Sequence, residues 1–374
     1  MTDTPLEARI APRLKGRALA VLMALVAALA VAALAGPRYG ALLLIGLGFG
    51  IAMEGLRFGF TGPWRRLILF RDATGMVAQM ICIGLVAVAA FPLLASNPTE
   101  LSGAHAPVGY AMIGGAFVFG MCMQIVLGCG SGTLVNAGSG NIVSAVALPF
   151  FALGSFAGAY HLTWWTGLGS LPVAALSGPF GLALTLLALA SVAGIALAVA
   201  EPGKRKLPGR LWAAALIVAG LAILHLVVAG QPWGVVYGLG LWVAKGAVAL
   251  GADLSGSPFW AAPGNVERLE QSMLTDITSL TDIGLIAGAA LAAWWRDGLT
   301  ARVKGHPVHA WVAVIVAGFL LGYSSRLAFG CNIGALFSGV STGSLHGWAW
   351  FAAAFTGSWY GIKLRPYLGL EPRR

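Results

Sequence analysis

Long apolar runs separated by short polar stretches dominate the pattern along the chain. Each run has about the length that a helix needs to cross a bilayer, roughly 20 residues. Eleven such runs occur, at residues 18–35, 40–56, 74–95, 109–127, 141–160, 172–200, 211–229, 235–251, 277–295, 308–327 and 346–362. The pattern predicts an all-α polytopic membrane protein with about ten transmembrane helices.

Composition and charge exclude the other broad classes of protein. Hydrophobic residues make up 58% of the 374 residues and charged residues only 10%, whereas an average soluble domain has about 25% charged residues. The net charge of +10 could suggest nucleic acid, but the basic residues form short clusters between the apolar runs. We therefore expect a lipid bilayer as the surroundings of the chain and no nucleic acid as a partner.

The basic clusters predict the orientation of the chain, because cytoplasmic loops are rich in Lys and Arg. Loops 96–108 and 252–276 contain almost none and should face outward. The alternation of inner and outer loops fails once. Residues 201–210 are expected inside and residues 252–276 outside, so an odd number of spans must connect them, but two apolar runs lie between. Either 211–229 or 235–251 is therefore not a full span. The expected cytoplasmic clusters are residues 57–71, 201–210, 296–306 and the C-terminal tail.

An internal repeat is the most informative feature of the sequence. Residues 115–141, GAFVFGMCMQIVLGCGSGTLVNAGSGN, align without a gap at an offset of 202 with residues 317–343, AGFLLGYSSRLAFGCNIGALFSGVSTG. A weaker match places Gly46-Leu47-Gly48 on Gly238-Leu239-Gly240. The six identities of the first match are Gly120 with Gly322, Gly128 with Gly330, Cys129 with Cys331, Gly132 with Gly334, Leu134 with Leu336 and Ser139 with Ser341.

The two copies of this segment run in opposite directions in the predicted topology. The run 109–127 starts from an outer loop, and 308–327 starts from a basic inner loop. We therefore expect two inverted repeats with short broken helices or re-entrant loops that carry GCxxG at the centre. The predicted organisation is a tail and an additional, retained transmembrane helix (1–39), a first repeat (40–170), connecting helices (171–234), a second repeat (235–365) and a cytoplasmic tail (366–374).

Each GCxxG stretch predicts a break between two helices beside a cavity. The N–H groups at the start of the second helix favour an anion, and a cysteine there offers a weak S–H donor suited to a sulfur-bearing solute. The alternative is that each cysteine is a small buried hydrophobe at a tight helix crossing. The candidates for substrate contact in the two stretches are Gly128, Cys129 and Gly130, and Gly330, Cys331 and Asn332.

Further candidates are charged or sulfur-bearing residues within the apolar runs. Arg326, which aligns with Gln124, and Lys245 are candidates to hold an anion, because intramembrane charges are costly and suggest function. Arg326 lies near enough to a helix end to snorkel instead. Cys122 precedes Cys129 by seven residues and faces the same cavity if the helix bends, whereas packing is expected for the fourth cysteine.

Two sets of polar residues have structural interpretations. Thr275-Asp276 and Thr281-Asp282 resemble N-caps of a helix that enters the membrane, although they could line an outer vestibule. The six histidines are scattered along the chain, so the sequence supports neither a metal site nor a proton relay. We expect no cofactor, no metal and no catalytic residue.

These motifs resemble the YeeE/YedE sulfur-transport family, whose characterised members take up thiosulfate across the bacterial inner membrane. The resemblance covers nearly the whole chain after residue 40 and implies an hourglass-like helical channel, in which cysteines pass thiosulfate onward by S–H hydrogen bonds. By position, Cys129 and Cys331 correspond to two of the family's essential cysteines. The motifs are RFGFTGPWRRL at 57–67, LGCGSGTL at 127–134, FGCNIGALFSGVSTGSLHGWAW at 329–350 and GSWYGIKLR at 357–365.

One departure from the family pattern concerns a third cysteine. Members that transport thiosulfate carry it in an F-C-F-type stretch, where this chain has Phe58-Gly59-Phe60. Either Cys122 substitutes for it, or the substrate or mechanism differs. The resemblance also suggests a small cytoplasmic sulfur-carrier protein as a partner.

The sequence thus predicts a multi-pass permease of the bacterial inner membrane with a cytoplasmic C-terminus. Its expected substrate is thiosulfate or a related inorganic sulfur anion, and it is not expected to be an enzyme. One alternative is a membrane thiol enzyme with persulfide or disulfide chemistry at Cys129 and Cys331, which would need a reactive thiolate. The other is a selenium-compound transporter of the same fold.

Overall fold

The computed structural model describes residues 6–296, 305 and 307–372, with side chains described from residue 17 onward. A π-helix is formed by Asn332–Ser338. The α-helices are α1 (Leu6–Ala35), α2 (Pro37–Gly55), α3 (Thr61–Phe70), α4 (Thr74–Ser96), α5 (Tyr110–Val126), α6 (Gly130–Gly138), α7 (Ile142–Tyr160), α8 (Leu162–Thr166), α9 (Gly178–Val199), α10 (Gly209–Ala229), α11 (Val236–Ala249), α12 (Pro263–Glu270), α13 (Ile277–Arg296), α14 (Val308–Leu327), α15 (Gly339–Ser341) and α16 (His346–Leu364).

The expectation of an all-α polytopic membrane protein is confirmed. Over the described residues there is no β-strand, only isolated bridges between Gly109 and Ser170 and between Ala175 and Ser344. Eight helical stretches in that part of the chain are long and apolar enough to cross a bilayer. They do not include α2 and α16, each 19 residues long, so the count of about ten crossings stays a prediction.

The two runs between residues 210 and 252 differ in length. Helix α10 has 21 residues and is one of the eight spanning stretches. Helix α11 has only 14 residues, which gives about 21 Å at 1.5 Å per residue, short of a hydrocarbon core of roughly 30 Å. Of the two runs, α11 is therefore the one that does not reach across a bilayer by itself.

The helices that precede the two GC segments are packed through equivalent glycines. Gly120 of α5 faces Ala354 of α16, and Gly322 of α14 faces Phe151 of α7. A Cβ atom at either glycine would collide with the carbonyl oxygen of the facing residue. Small residues allow this close approach of membrane helices. The sequence repeat thus corresponds to a repeated helix crossing, in which α5 pairs with α16 and α14 pairs with α7.

An ion pair and hydrogen bonds to Asp72 hold the connection between α3 and α4 in place. The Arg66 Nη2 lies 2.5 Å from a carboxylate oxygen of Asp72, and the Thr74 hydroxyl donates to the other oxygen at 2.6 Å. Burial acts to raise the pKa of Asp72, but the hydrogen bonds from Thr74 and Arg66 outweigh it, and the pKa lies below its ordinary value. The predicted basic residues Arg302, Lys304, Arg373 and Arg374 lie outside the described residues.

Candidate functional site

The repeated GC segments break the chain in the same way. Leu127 follows α5 with φ 58°, and Phe329, its equivalent after α14, has φ 55°. The next residue, Gly128 or Gly330, donates its N–H to a carbonyl five residues earlier, at 3.1 and 2.8 Å. Such a left-handed residue and a backward hydrogen bond end a helix without leaving its last carbonyls unpaired. The predicted interruption is therefore present in both copies.

Each cysteine caps the helix that follows its break. The Cys129 Sγ accepts from the N–H of Gly132 at 3.4 Å, and the Cys331 Sγ accepts from the N–H of Ile333 at 3.4 Å. The Cys129 Sγ also lies 3.6 Å from the Ser131 hydroxyl. Both cysteines are fully buried. Their sulfur atoms are thus fixed by the backbone at the point where each chain segment changes direction.

The two segments meet at Gly130 and Cys331. A Cβ added to Gly130 would lie 2.7 Å from the Cys331 Sγ, so only glycine fits there without displacing the sulfur. At Gly128, an added Cβ would lie 2.6 Å from the Thr133 Oγ1. Gly330 has φ 147°, a conformation that favours glycine. We call this closed contact, formed by residues 128–130 and 330–332, the central plug.

A cavity of about 440 Å³, here called the upper vestibule, reaches the plug from the side of Cys331. Arg326 and Tyr237 line it together with Phe329 and Gly330. The remaining lining residues are Gly103, Ala104, His105, Ala106, Leu162, Gly234, Val235, Val236, Phe259, Gly334 and His346.

A second cavity of about 340 Å³, the lower vestibule, lies beside the other GC segment. Leu127 and Gly132, which flank Cys129, line it together with Asn136. Its other lining residues are Met53, Glu54, Arg57, Phe58, Gly59, Phe60, Thr61, Gly62, Pro63 and Val135. Each GC segment is thus bordered by one cavity.

The directions of α5 and α14 place the vestibules at opposite ends. Helix α5 begins at Tyr110, four residues after Ala106 of the upper vestibule, and ends beside Leu127 of the lower vestibule. Helix α14 ends beside Phe329 of the upper vestibule. Helix α5 therefore ends toward the lower vestibule, and α14 ends toward the upper vestibule.

Arg326 places a cationic side chain in the wall of the upper vestibule. Its guanidinium stands over the rings of Phe259, at 4.8 Å, and Tyr237, at 5.6 Å. No acidic side chain pairs with it among the described residues, and its Nε has no hydrogen-bond partner there. Aromatic faces stabilise a cation without neutralising it. Arg326 therefore presents an available positive charge to the upper vestibule.

Two predicted candidates lie apart from the plug. The Lys245 Nζ donates to the carbonyl oxygens of Leu269, at 2.8 Å, and Gln271, at 2.5 Å, and it lines neither vestibule. It satisfies carbonyls at the end of α12, as cations near helix C-termini commonly do. Cys122 is buried within α5 and also lines neither vestibule. The structure does not bring these two residues to the other candidates.

The Phe58-Gly59-Phe60 stretch lines the lower vestibule beside the first GC segment. The buried Gln79 holds it in place, donating from Nε2 to the carbonyl of Gly59 at 2.8 Å. A Cβ added at Gly59 would meet no atom within 4 Å. The position where the family carries a third cysteine is therefore open to the cavity and has room for a larger side chain.

Several polar residues at the site escaped sequence reasoning. His105 and His346, which lie far apart in the sequence, both line the upper vestibule. Asp276 is an N-cap, accepting from the N–H of Ser279 at 2.7 Å. Asp282 is not a cap, since it lies inside α13 and is fully buried with neither oxygen hydrogen-bonded among the described residues. Only the folded chain reveals these placements.

The last motif residue, Arg365, secures the first GC segment from outside. Its Nη1 donates to the carbonyl oxygens of Gln124, at 3.1 Å, and Ile125. Its Nε donates to Glu371 at 2.9 Å. Gln124 and Ile125 belong to the last turn of α5, whose carbonyls lack partners within the helix. A residue far away in sequence thus fixes the helix end that leads to Cys129.

Several known proteins resemble this chain in sequence. The thiosulfate transporter TsuA of Spirochaeta thermophila is 27% identical over 349 residues, which cover 85% of this chain and 96% of that protein. The probable transporter YedE of Escherichia coli is 35% identical over 96 residues, 26% of this chain and 24% of that protein. These relatives are transporters, in agreement with the expectation that the chain is not an enzyme. The match to the sulphur-transport family runs over residues 56–360, and the chain therefore belongs to this YeeE/YedE family.

Proposed function

We propose that the protein is a permease that takes up thiosulfate, or a related inorganic sulfur anion, across the bacterial inner membrane. The observation that carries this proposal is the central plug, where the Cys331 sulfur contacts Gly130 of the opposite GC segment. The upper vestibule is lined by Cys331, and the lower vestibule is lined by Leu127 and Gly132 on either side of Cys129. In the proposed path, a solute that moves from one vestibule to the other passes both cysteines.

The plug offers hydrogen-bond donors rather than reactive groups. Burial in apolar surroundings keeps a thiol in its S–H form, and the oxygens and terminal sulfur of thiosulfate can accept from it. The fully buried Asn332 adds an amide whose Nδ2 and Oδ1 lack partners among the described residues. An unpaired buried amide costs free energy, and a passing anion would satisfy its N–H groups. Cys129, Cys331 and Asn332 form the proposed contacts of the path.

Positive charges at both mouths attract an anion toward the plug. Arg326 lines the upper vestibule and Arg57 lines the lower one. The lower mouth also contains Glu54, but this carboxylate is paired with Arg296. A cleft lined by one sign of charge raises the local concentration of the opposite ion.

Uptake of labelled thiosulfate by cells that lack other thiosulfate permeases tests the proposal. Cys129→Ala and Cys331→Ala should each abolish uptake while membrane levels of the protein stay normal. Cys82→Ala is the matched control, because Cys82 is equally buried but lies in α4, outside the central plug. Absence of uptake by the unaltered protein, or full uptake by both plug variants, would refute the proposal.

The same assay decides the identity of the ion. Competition by a panel of sulfur and selenium anions should show strongest inhibition by thiosulfate. Stronger inhibition by a selenium compound would favour the alternative substrate. Full activity in cells without the candidate sulfur-carrier protein would exclude that protein as a required partner.

The proposed orientation places the C-terminus in the cytoplasm and the lower vestibule on the same side. Arg57 and the basic residues 201–210 support this orientation. We propose the same bounds for the two repeats as the sequence predicts, 40–170 and 235–365. A reporter that is active only in the cytoplasm, fused after residue 372, should be active. A periplasmic reporter at that position should be inactive.

A further inference from the structure

We propose that Asp282 is a proton-binding site that couples anion uptake to the movement of protons, an inference that rests on the proposed function. Asp282 lies within α13, about 7.5 Å along the helix from its first residue at 1.5 Å per residue. Its side chain has no solvent exposure. Neither carboxyl oxygen has a hydrogen-bond partner among the described residues.

Burial without a partner determines the form of this carboxyl group. An ionised carboxylate taken out of water costs far more than a neutral polar group, and the usual outcome is that it takes up a proton. Other buried acids in this protein have partners, as Asp276 has in Arg268 at 3.2 Å. Asp282 has none in the described chain. The protonated acid is therefore its stable form when no cation is bound.

Asp282 lies beside the proposed path of the anion. A Cβ added to Gly238 of α11 would stand 3.0 Å from the Asp282 Oδ2, so the group lies at the crossing of α13 with the short helix. Helix α13 is also packed against α6, which begins directly after Cys129 of the plug. Val236 and Tyr237, at the start of α11, line the upper vestibule. The crossing that holds Asp282 therefore adjoins the wall of the upper vestibule.

The neighbouring ionisable groups do not neutralise Asp282. Asp276 is an additional negative charge on the same helix, and His225 of α10 is occupied with Thr281 at 3.3 Å and with the carbonyl of Gln231 at 3.2 Å. The remaining ionisable groups on the elements packed against α13 are Arg38, Tyr39 and Glu54 on α2, Tyr237 and Lys245 on α11, Cys129 at the start of α6 and Cys331 before the π-helix.

The charge of the substrate explains why protonation matters. Thiosulfate is a dianion, and an ionised Asp282 on α13 would repel it as it passes the neighbouring plug. The protonated acid removes this repulsion, so the anion enters the plug when a proton is bound. Once the anion leaves toward the lower vestibule, release of the proton to the same side returns Asp282 to its starting state. One proton then moves with each anion.

Proteoliposomes with the purified full-length protein test this coupling. Labelled thiosulfate uptake is measured with the membrane potential clamped by potassium and valinomycin, with the outside one pH unit more acidic. One proton per anion predicts about tenfold accumulation inside the vesicles, since one pH unit is worth about 1.36 kcal/mol and 1.4 kcal/mol is tenfold. Asp282→Asn should still equilibrate thiosulfate, but without accumulation. Asp253→Asn, an exposed acid in a loop, should accumulate like the unaltered protein.

Infrared spectroscopy gives a readout that does not depend on transport. The carbonyl band of a protonated carboxylic acid should be present at neutral pH and absent in Asp282→Asn, or in Asp282→Ser if the amide variant does not fold. Absence of this band in the unaltered protein would overturn the proposal. Accumulation that follows a sodium gradient, or that persists in Asp282→Asn, would overturn it too. Vesicles that show the band but take up no thiosulfate would refute the proposed substrate and leave the proton site in place.

Discussion

Replacing Arg365 by Met removes the guanidinium that holds the end of α5. The Nη1 of Arg365 donates to the carbonyls of Gln124 and Ile125, and the side chain is only 5% exposed, so water cannot readily replace it. A hydrogen bond that involves a charged group contributes about 1.5–3 kcal/mol. Loss of both bonds should therefore destabilise the last turn of α5 by roughly 3–6 kcal/mol.

This loss can be measured at Cys129, three residues beyond the end of α5. Labelling of a buried thiol by N-ethylmaleimide requires local opening, so its rate follows the population of the opened state. A loss of 3 kcal/mol raises that population by roughly 100-fold, since 1.4 kcal/mol is tenfold. The label at Cys129 is quantified by peptide mass spectrometry on detergent-solubilised protein.

Lys363→Met is the matched control for this experiment. Lys363 lies two residues away and is exposed, with its Nζ 3.3 Å from the centre of the Trp359 ring. Its replacement should leave Cys129 labelling unchanged. A rate for Arg365→Met that stays within threefold of the unaltered protein would refute the idea that Arg365 secures the first GC segment.

Three further predictions address the vestibules and their frame. Arg326→Gln should raise KM for thiosulfate about 10–100-fold, as expected for a lost charged hydrogen bond of about 1.5–3 kcal/mol, and an unchanged KM would exclude Arg326 from anion binding. Gly59→Cys should fold normally and increase uptake in cells, because the position is open; reduced uptake would show that no third cysteine is used. Asp72→Asn should lower the unfolding temperature at neutral pH. The difference in unfolding temperature between the variant and the unaltered protein should vanish as the pH falls below 3.8, because a carboxyl group with a lowered pKa stabilises the fold only while it is ionised. A difference that persists in acid would contradict the role of the Asp72 charge.

The membrane architecture and the repeat were accessible from the sequence because both depend on local patterns. A run of apolar residues predicts a helix wherever it occurs, and Cys129 and Cys331 were recognisable because their surroundings recur at a fixed offset. The short length of α11 was only partly predictable. The charge alternation showed that one of two runs is incomplete, but the turn at residues 230–235 decides that the incomplete one is α11.

The missing parts of the site depend on contacts between distant residues. Lys245 lies in an apolar run, but the carbonyls of Leu269 and Gln271 that hold it belong to a different helix region. His105 and His346 are separated by 241 positions and meet only when the upper vestibule forms. Asp282 lies six residues after Asp276 in a similar Thr-Asp pair, and only the start of α13 distinguishes a cap from a buried acid.

Each of the two glycine crossings joins a helix of one repeat to a helix of the other repeat, and this pairing limits how the protein can move. Because α5 is packed against α16 and α14 against α7, with no room for a Cβ at Gly120 or Gly322, each copy of the repeat is clasped by the other. A rocking motion of one copy as a rigid body would have to open both crossings together. The two crossings thereby hold the frame as one piece. Under the proposed function, we expect the path to open through a movement of only the few residues around Gly130 and Cys331.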